Sequence, residues 1–244
     1  MEAEDVQALL TAEGFPTGEI RELRSAAHRP DRFAFVLDRN WVVKIFGPDD
    51  FHNFQIEEKV SEILYARGIS VPEVMASRAE EEGYSYIVFR HAEGELLNAT
   101  YGRMSSSDYT TMVIALAEVF RRIHGLPRSL FDRVPFFEPG HEQYFNLSFR
   151  RTRTIHDSVR ALIEEGILQA SAREICEVVD REAEALLGSE EVLIHADIHN
   201  ENVFLKRTGR SLCCEDLDWE TARIEQLELD FVHPFLNILG EAFP

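Results

Sequence analysis

Eight residues concentrate most of the chemistry this chain could perform: His195, Ala196, Asp197, Ile198, His199, Asn200, Glu201 and Asn202, set directly behind the apolar run Val192 to Ile194. They spell HxDxxxxN. A second acid follows in Leu217-Asp218-Trp219-Glu220, where two strand-like runs end, Val203 to Leu205 and Leu212 to Cys214 around Thr208 and Gly209. Phosphoryl transfer asks for little covalent help from a protein. It needs an acceptor held in line, the phosphate charge neutralised, and metal ligands fixed beside the phosphates. One aspartate facing an acceptor hydroxyl, with an asparagine and another aspartate offering oxygens to Mg²⁺, meets those needs.

Lys44 lies in the run Trp41 to Phe46, among bulky strand residues. The chain has 25 basic residues, yet only Lys44, Lys59 and Lys206 are lysines, so a lysine inside a strand invites a reason. Facing inward it needs an anion, because an unpaired buried charge is expensive. Glu57 is the first candidate, since it precedes Val60 by three residues and Leu64 by seven and leans to the apolar face of its helix. Glu58 is the second. A Lys–Glu pair of this kind can aim an ammonium at nucleotide phosphates.

The elements that would position these groups change in texture along the chain. A short amphipathic helix over Asp5 to Glu13 closes at Gly14 and Pro16. Strands follow at Ile20 to Leu23, Arg32 to Leu37 and Trp41 to Phe46, the last two joined by the polar hairpin Asp38-Arg39-Asn40. Phe51 to Arg67 has apolar residues at helical spacing, and Val74 to Ser77 pairs naturally with Tyr84 to Phe89. After Glu93-Gly94 helices dominate: one capped by Ser105 to Ser107 and running to His124, one opened by Ser171 with Glu174 and running to Leu187, and a last from Leu227 to Leu239. A β-rich half before a helical half implies an α+β fold rather than an alternating parallel sheet.

Bulk properties exclude several classes of function. A net charge of −19 disfavours nucleic acid as a partner and suits a cationic small molecule, whose encounter an acidic cleft accelerates. The acidic start, Met1 to Gln7, lacks the order of a signal peptide, and no apolar run approaches a membrane span. Three cysteines, two of them the adjacent Cys213 and Cys214, build no disulfide framework, which fits a cytoplasmic protein.

Taken together, these pieces resemble the aminoglycoside phosphotransferases and their relatives, over roughly residues 20 to 240. The likeness rests on Lys44, Arg67 to Pro72, the linker Val88 to Gly94, Ala117 to Leu126, the loop from His195, Leu217 to Ala222, and Leu229 to Phe231. The resemblance implies a two-lobed protein-kinase-like fold, with residues 1–92 as a nucleotide-binding lobe and 93–244 as a catalytic and acceptor-binding lobe. It implies ATP or GTP as phosphate donor with Mg²⁺, and a hydroxylated small molecule as acceptor, an aminoglycoside or other antibiotic among the candidates. On that basis Asp197 is the catalytic aspartate, Asn202 and Asp218 hold Mg²⁺, and Lys44 steadied by Glu57 meets the α- and β-phosphates. Arg90 and Ala92 would receive adenine through their backbone. His195 would hold the loop, and Asp230 would brace it from a helix N-terminus.

Asp216 competes with Asp218. Counting from the turn at Gly209 favours Asp216; counting back from Asp230, and the apolar Leu217 ahead of it, favour Asp218. Two departures from the family pattern stand out. Glycine is absent between Gly18 and Gly47, so the phosphate-covering turn is Ser25 to Pro30, with Ser25, His28 and Arg29 as side-chain donors. The chain also ends soon after Asp218, which moves the acceptor wall toward Phe136 to Phe149, with Glu138, His141, Glu142 and Tyr144 as candidates. These departures keep a rival open, a catalytically weak or inactive nucleotide-binding protein with a regulatory role. A protein kinase proper lacks room for its activation segment between Asp218 and Asp230.

Overall fold

Alternating apolar residues build the first sheet of the computed structural model, which describes residues 3–15, 18–23, 32–135, 137, 160, 177, 181, 190–208, 211–216, 218–231 and 234. Its strands are β1 (Ile20–Glu22), β2 (Arg32–Leu37), β3 (Trp41–Phe46), β4 (Val74–Arg78) and β5 (Ser85–Arg90), antiparallel in the order β1-β2-β3-β5-β4. Side chains alternate between faces along a strand. Val43 and Ile45 of β3 and Tyr86 and Val88 of β5 therefore point one way, into a cluster with Val6 and Leu10 of α1 (Ala3–Ala12). Phe46, Ile87 and Phe89 point the other way, against Phe54 of α2 (Phe51–Ala66). Lys44 shares the parity of Phe46, so its stem is committed to the α2 side.

The hairpin between β2 and β3 forms where the sequence places it. Asp38 and Arg39 adopt left-handed φ values of 50° and 59°, without glycine. The Asp38 carboxylate accepts the Glu19 N–H at 2.9 Å, which ties the hairpin to the chain just ahead of β1.

Two compact units emerge: Met1–Ile123 with Asp197–Ala222, and His124–Ala196 with Arg223–Pro244. The first also holds β6 (Glu95–Leu96), α3 (Leu97–Thr100) and most of α4 (Ser106–His124), along with β8 (Val203–Thr208) and β9 (Ser211–Asp216). Ser105 caps α4, its hydroxyl accepting the Asp108 N–H at 3.1 Å. Strands β6, β8 and β9 make a three-stranded sheet, and a Cβ at Gly94, where φ is +115°, would collide with the Leu205 carbonyl. In the second unit β7 (Glu191–Ile194) pairs antiparallel with β10 (Arg223–Gln226).

Neither β6 nor β10 is evident in the sequence. The first has two residues, and the second reads Arg-Ile-Glu-Gln yet buries Glu225 and Gln226. Leu227–Phe231, expected to open a long helix, is a 3₁₀ turn. Most of the helix expected over Ser171 to Leu187, the covering turn Ser25 to Pro30, and Phe136 to Phe149 apart from Phe137 lie outside the described residues. Among the described residues no helix is long and apolar enough to cross a membrane.

Candidate active site

Lys44 brings two distant acids together. Its Nζ lies 2.5 Å from Glu57 Oε1 and 2.8 Å from Asp218 Oδ1. Glu57 sits in the buried stripe of α2 with Phe54, Ser61 and Leu64, at helical spacing, and is 1% exposed. A carboxylate so placed must find a cation. Of the two glutamates weighed from sequence, Glu57 is the one that meets Lys44; Glu58 contacts Ser77 and Lys59 instead. Burial works against the Lys44 charge, but Asp218, Glu57 and Glu220 reverse that and raise its pKa. Glu57 is pushed up to about 7 by burial, which the attraction of Lys44 only partly offsets.

Asp218 occupies the left-handed region, with φ 68° and ψ 59°, as the residue leading into the 3₁₀ turn Trp219–Thr221. That turn packs against α2, with Trp219 wholly buried. The register of β8 with β9 sets Asp216 opposite Val203 inside the ladder, whereas Asp218 lies beyond the strand end and reaches Lys44.

The loop Asp197 to Asn202 is tied by its own groups. Asn202 donates its side-chain amide to the Asp197 carbonyl at 3.0 Å and its backbone N–H to the His199 carbonyl at 3.0 Å. Asn98, just past β6, donates its N–H to the Asn200 carbonyl at 2.8 Å. With its amide nitrogen committed to Asp197, Asn202 keeps its amide oxygen as an acceptor. The Asn202 amide oxygen and the half-buried Asp218 carboxylate are each the kind of oxygen ligand that a hard divalent cation takes. The Asp197 carboxylate is 39% exposed, and His199 Nε2 lies 3.9 Å from it. His199 Nδ1 accepts the Glu201 N–H at 3.2 Å.

Within the second unit Asp230 braces the chain just ahead of this loop. One carboxylate oxygen accepts the N–H groups of His195 and Ala196, each at 2.9 Å, and the other meets His124 Nε2 at 2.9 Å. Ala196 has φ +69°, so these bonds hold a strained backbone next to Asp197. His195 is fully buried. Asp230 does this from within a 3₁₀ turn rather than from a helix N-terminus.

The linker carries Arg90 at the end of β5, its N–H given to the Glu73 carbonyl at 2.9 Å and its guanidinium to the Glu73 carboxylate. Ala92 is buried, and its carbonyl meets His91 Nδ1 at 2.7 Å. Among the described residues no group accepts the Ala92 N–H.

Two residues of the site escape a reading of the sequence. Glu220 is 6% exposed, and its carboxylate lies within 4.8 Å of oxygens of both Glu57 and Asp218. Arg32, at the start of β2, forms an ion pair with Glu220 and a second with Asp50 at 3.2 Å. Burial and the neighbouring Asp218 raise the Glu220 pKa, with Lys44 and Arg32 opposing. The one signal in the sequence is that Glu220 stands two residues beyond Asp218.

With this geometry in view, likeness to known proteins becomes informative. The sequence pattern of the phosphotransferase enzyme family, APH, matches residues 19–243. The chain belongs to this family. Among solved structures, the GDP and kanamycin complex of APH(2″)-IIIa is similar over 97% of this chain and 78% of its own, at 13% identity and a TM-score of 0.77. APH(3″)-Id from Streptomyces rimosus covers 98% of this chain and 84% of its own, at 15% identity and a TM-score of 0.64. The streptomycin–ATP complex of APH(2″)-IIa covers 95% and 74%, at 17% identity and a TM-score of 0.61. No curated protein sequence matches the chain. The phosphotransferase has the α+β, protein-kinase-like fold of these neighbours.

Proposed function

We propose that this phosphotransferase is a cytoplasmic small-molecule kinase that moves the γ-phosphate of ATP or GTP to a hydroxyl of its acceptor. The observation that carries the reading is the convergence of Lys44, Glu57 and Asp218, drawn from β3, α2 and the segment after β9, in the unit that also holds Asp197 and Asn202. A lysine held between two acids is a cation prepared for a phosphate chain. Its charge is secured at neutral pH, and Glu57 fixes its stem while the exposed edge of Asp218 faces water.

In this reading Lys44 contacts the α- and β-phosphates, and the backbone of Arg90 and Ala92 receives the base. Asn202 and Asp218 would hold Mg²⁺, which when bound neutralises phosphate charge and orients the phosphates. Asp197, open to solvent on a loop locked by Asn202, orients the acceptor hydroxyl and takes its proton as the oxygen attacks phosphorus. Neighbours that bind kanamycin and streptomycin, together with a net charge of −19, support a cationic, hydroxylated acceptor of the aminoglycoside type, and hence a role in antibiotic resistance.

The test is acceptor-stimulated nucleotide turnover with Mg²⁺, screened across aminoglycosides and other hydroxylated compounds. Asp197→Ala should lose turnover by about a thousandfold or more while nucleotide still binds. Asp218→Ala should remove the Mg²⁺-dependent part of nucleotide binding, and Asp216→Ala should not. Nucleotide binding without turnover over the whole screen would favour the regulatory, catalytically inactive reading. Full turnover by Asp197→Ala would refute the assignment.

A further inference from the structure

Glu58 does not meet Lys44, yet it too holds α2 to the sheet. One of its carboxylate oxygens accepts the Ser77 hydroxyl of β4, and the other lies 3.1 Å from Lys59 Nζ. Its side chain, although charged, is only 13% exposed. Neighbouring residues on an α-helix point about 100° apart. Glu57 and Glu58 therefore reach different strands from one turn of α2, the first β3 at Lys44 and the second β4 at Ser77.

The sheet offers both partners in one row. Strand β5 lies between β3 and β4, and its Ile87 is the register partner of Lys44 on one side and of Ser77 on the other. Cross-strand partners share a face, and Ile87 packs against Phe54 of α2, so all three residues face that helix. Lys44 and Ser77 stand about 10 Å apart, two strand spacings. Ser77 joins the row only through an irregularity in β4. Val74 pairs with Phe89 and packs on the α2 side, but Ala76 pairs with Val88, which leaves Met75 as an extra residue. A bulge of this kind re-aims the side chains that follow it. Ala76 consequently packs on the α1 side with Val43 and Val88, and Ser77 turns to α2. In an unbroken ladder Ala76 would stand opposite Ile87 and offer Glu58 no donor.

We propose that Ser77 and Glu58 are positioning residues for the Lys44–Glu57 pair, a second attachment that fixes the rotation of α2 so that Glu57 faces β3. What the pair does rests on the kinase reading, but the pair itself can be followed without nucleotide or turnover.

The chain has three lysines, so full-length protein carrying ¹³C at lysine Cε gives signals from three side chains, with Lys44 identified by its loss in Lys44→Met. A side chain held in one geometry keeps its Cε protons inequivalent, and free rotation averages them. Threonine and valine are alike in size and both suit a strand, but only threonine keeps the hydroxyl. Ser77→Thr should preserve the inequivalence at Lys44, and Ser77→Val should lose it. Glu58→Gln, which still offers Ser77 an oxygen, should preserve it, and Glu58→Leu should lose it. A merely structural contact would weaken folding and leave the Lys44 signal unmoved. Retained inequivalence in folded Ser77→Val or Glu58→Leu therefore overturns the proposal, as does a Lys44 signal already averaged in the unaltered chain. Should neither variant fold, urea unfolding of Ser77→Ala decides. The substitution should lower the folding constant by about tenfold in the unaltered chain, the worth of a hydrogen bond to a charged group. In Lys44→Met/Glu57→Gln, where no pair remains to be positioned, it should lower it by about threefold or less. Equal losses overturn the proposal. Absence of nucleotide binding by the unaltered chain would count against the kinase reading alone, and the lysine spectra would still decide the role of Ser77.

Discussion

Replacing Lys44 with methionine separates the two acids that this lysine joins, and the structure fixes what that should cost. Glu57 is 1% exposed, so losing its cation strands a charge in a place water scarcely reaches. Breaking one side of a buried pair typically costs 3–5 kcal/mol. Asp218 is about one-third exposed and can turn to solvent, so only Glu57 bears the full penalty, which puts the expected loss near about 3 kcal/mol. The loss should also depend on pH. The Glu57 carboxyl is held up to about 7, by burial first, with Lys44 pulling against it. Because its folded pKa lies above the ordinary 4.5, the stability linked to its proton is complete below that value and is lost as pH rises through about 7. Without Lys44 the folded pKa climbs further. Near about pH 5 Glu57 then keeps its proton and Lys44→Met is mild; near about pH 8 the full cost appears. Urea unfolding at both pH values measures this, with Lys44→Met/Glu57→Gln as the partner variant, expected to recover at least half of the loss at the higher pH. A penalty that is the same at both pH values, or below about 1 kcal/mol at the higher one, would refute the argument.

Two further outcomes follow from the bracing of the backbone. Asp230→Ala removes the acceptor of two buried N–H groups and the partner of His124, at about 1–3 kcal/mol for each orphaned group. Hydrogen exchange at the His195 and Ala196 amides should accelerate more than exchange within the β2–β3 ladder, and uniform acceleration would argue against a local brace. Gly94→Ala meets both a φ of +115° and the Leu205 carbonyl, so it should cost about 2 kcal/mol or more in urea unfolding. A neutral result would mean that β6 is free to shift.

What could be read from the residues alone was whatever depended on local pattern. The strands Arg32–Leu37 and Trp41–Phe46 show their alternation, and the parity of Lys44 with Phe46 follows from it. Glu57 was recognisable because its spacing from Val60 and Leu64 puts it on a helix face that wants apolar residues. The choice of Asp218 over Asp216 came from counting and from family resemblance; the structure places Asp218 against Lys44. Arg32 and Glu220 stayed hidden for a physical reason. A charged residue at a strand end or in a turn reads as a solvated one, and their pairing exists only after β2, α2 and the turn at Trp219 have assembled. Strand β10 was invisible because its buried Glu225 and Gln226 carry none of the apolar alternation that marks a strand. The 3₁₀ form of Leu227–Phe231 was equally beyond reach, since apolar periodicity does not distinguish it from the first turn of an α-helix.

The scarcity of lysine makes this protein unusually open to chemical labelling. An acylating reagent directed at side-chain amines has three targets, Lys44, Lys59 and Lys206. Lys59 and Lys206 are 45% and 47% exposed, and each pairs with an exposed glutamate, Glu62 and Glu93. Lys44 is 18% exposed and held against Glu57 and Asp218. The two surface amines therefore serve as an internal standard, and the ratio of modification at Lys44 to theirs becomes a direct gauge of site occupancy, without a substituted residue or an assay for product.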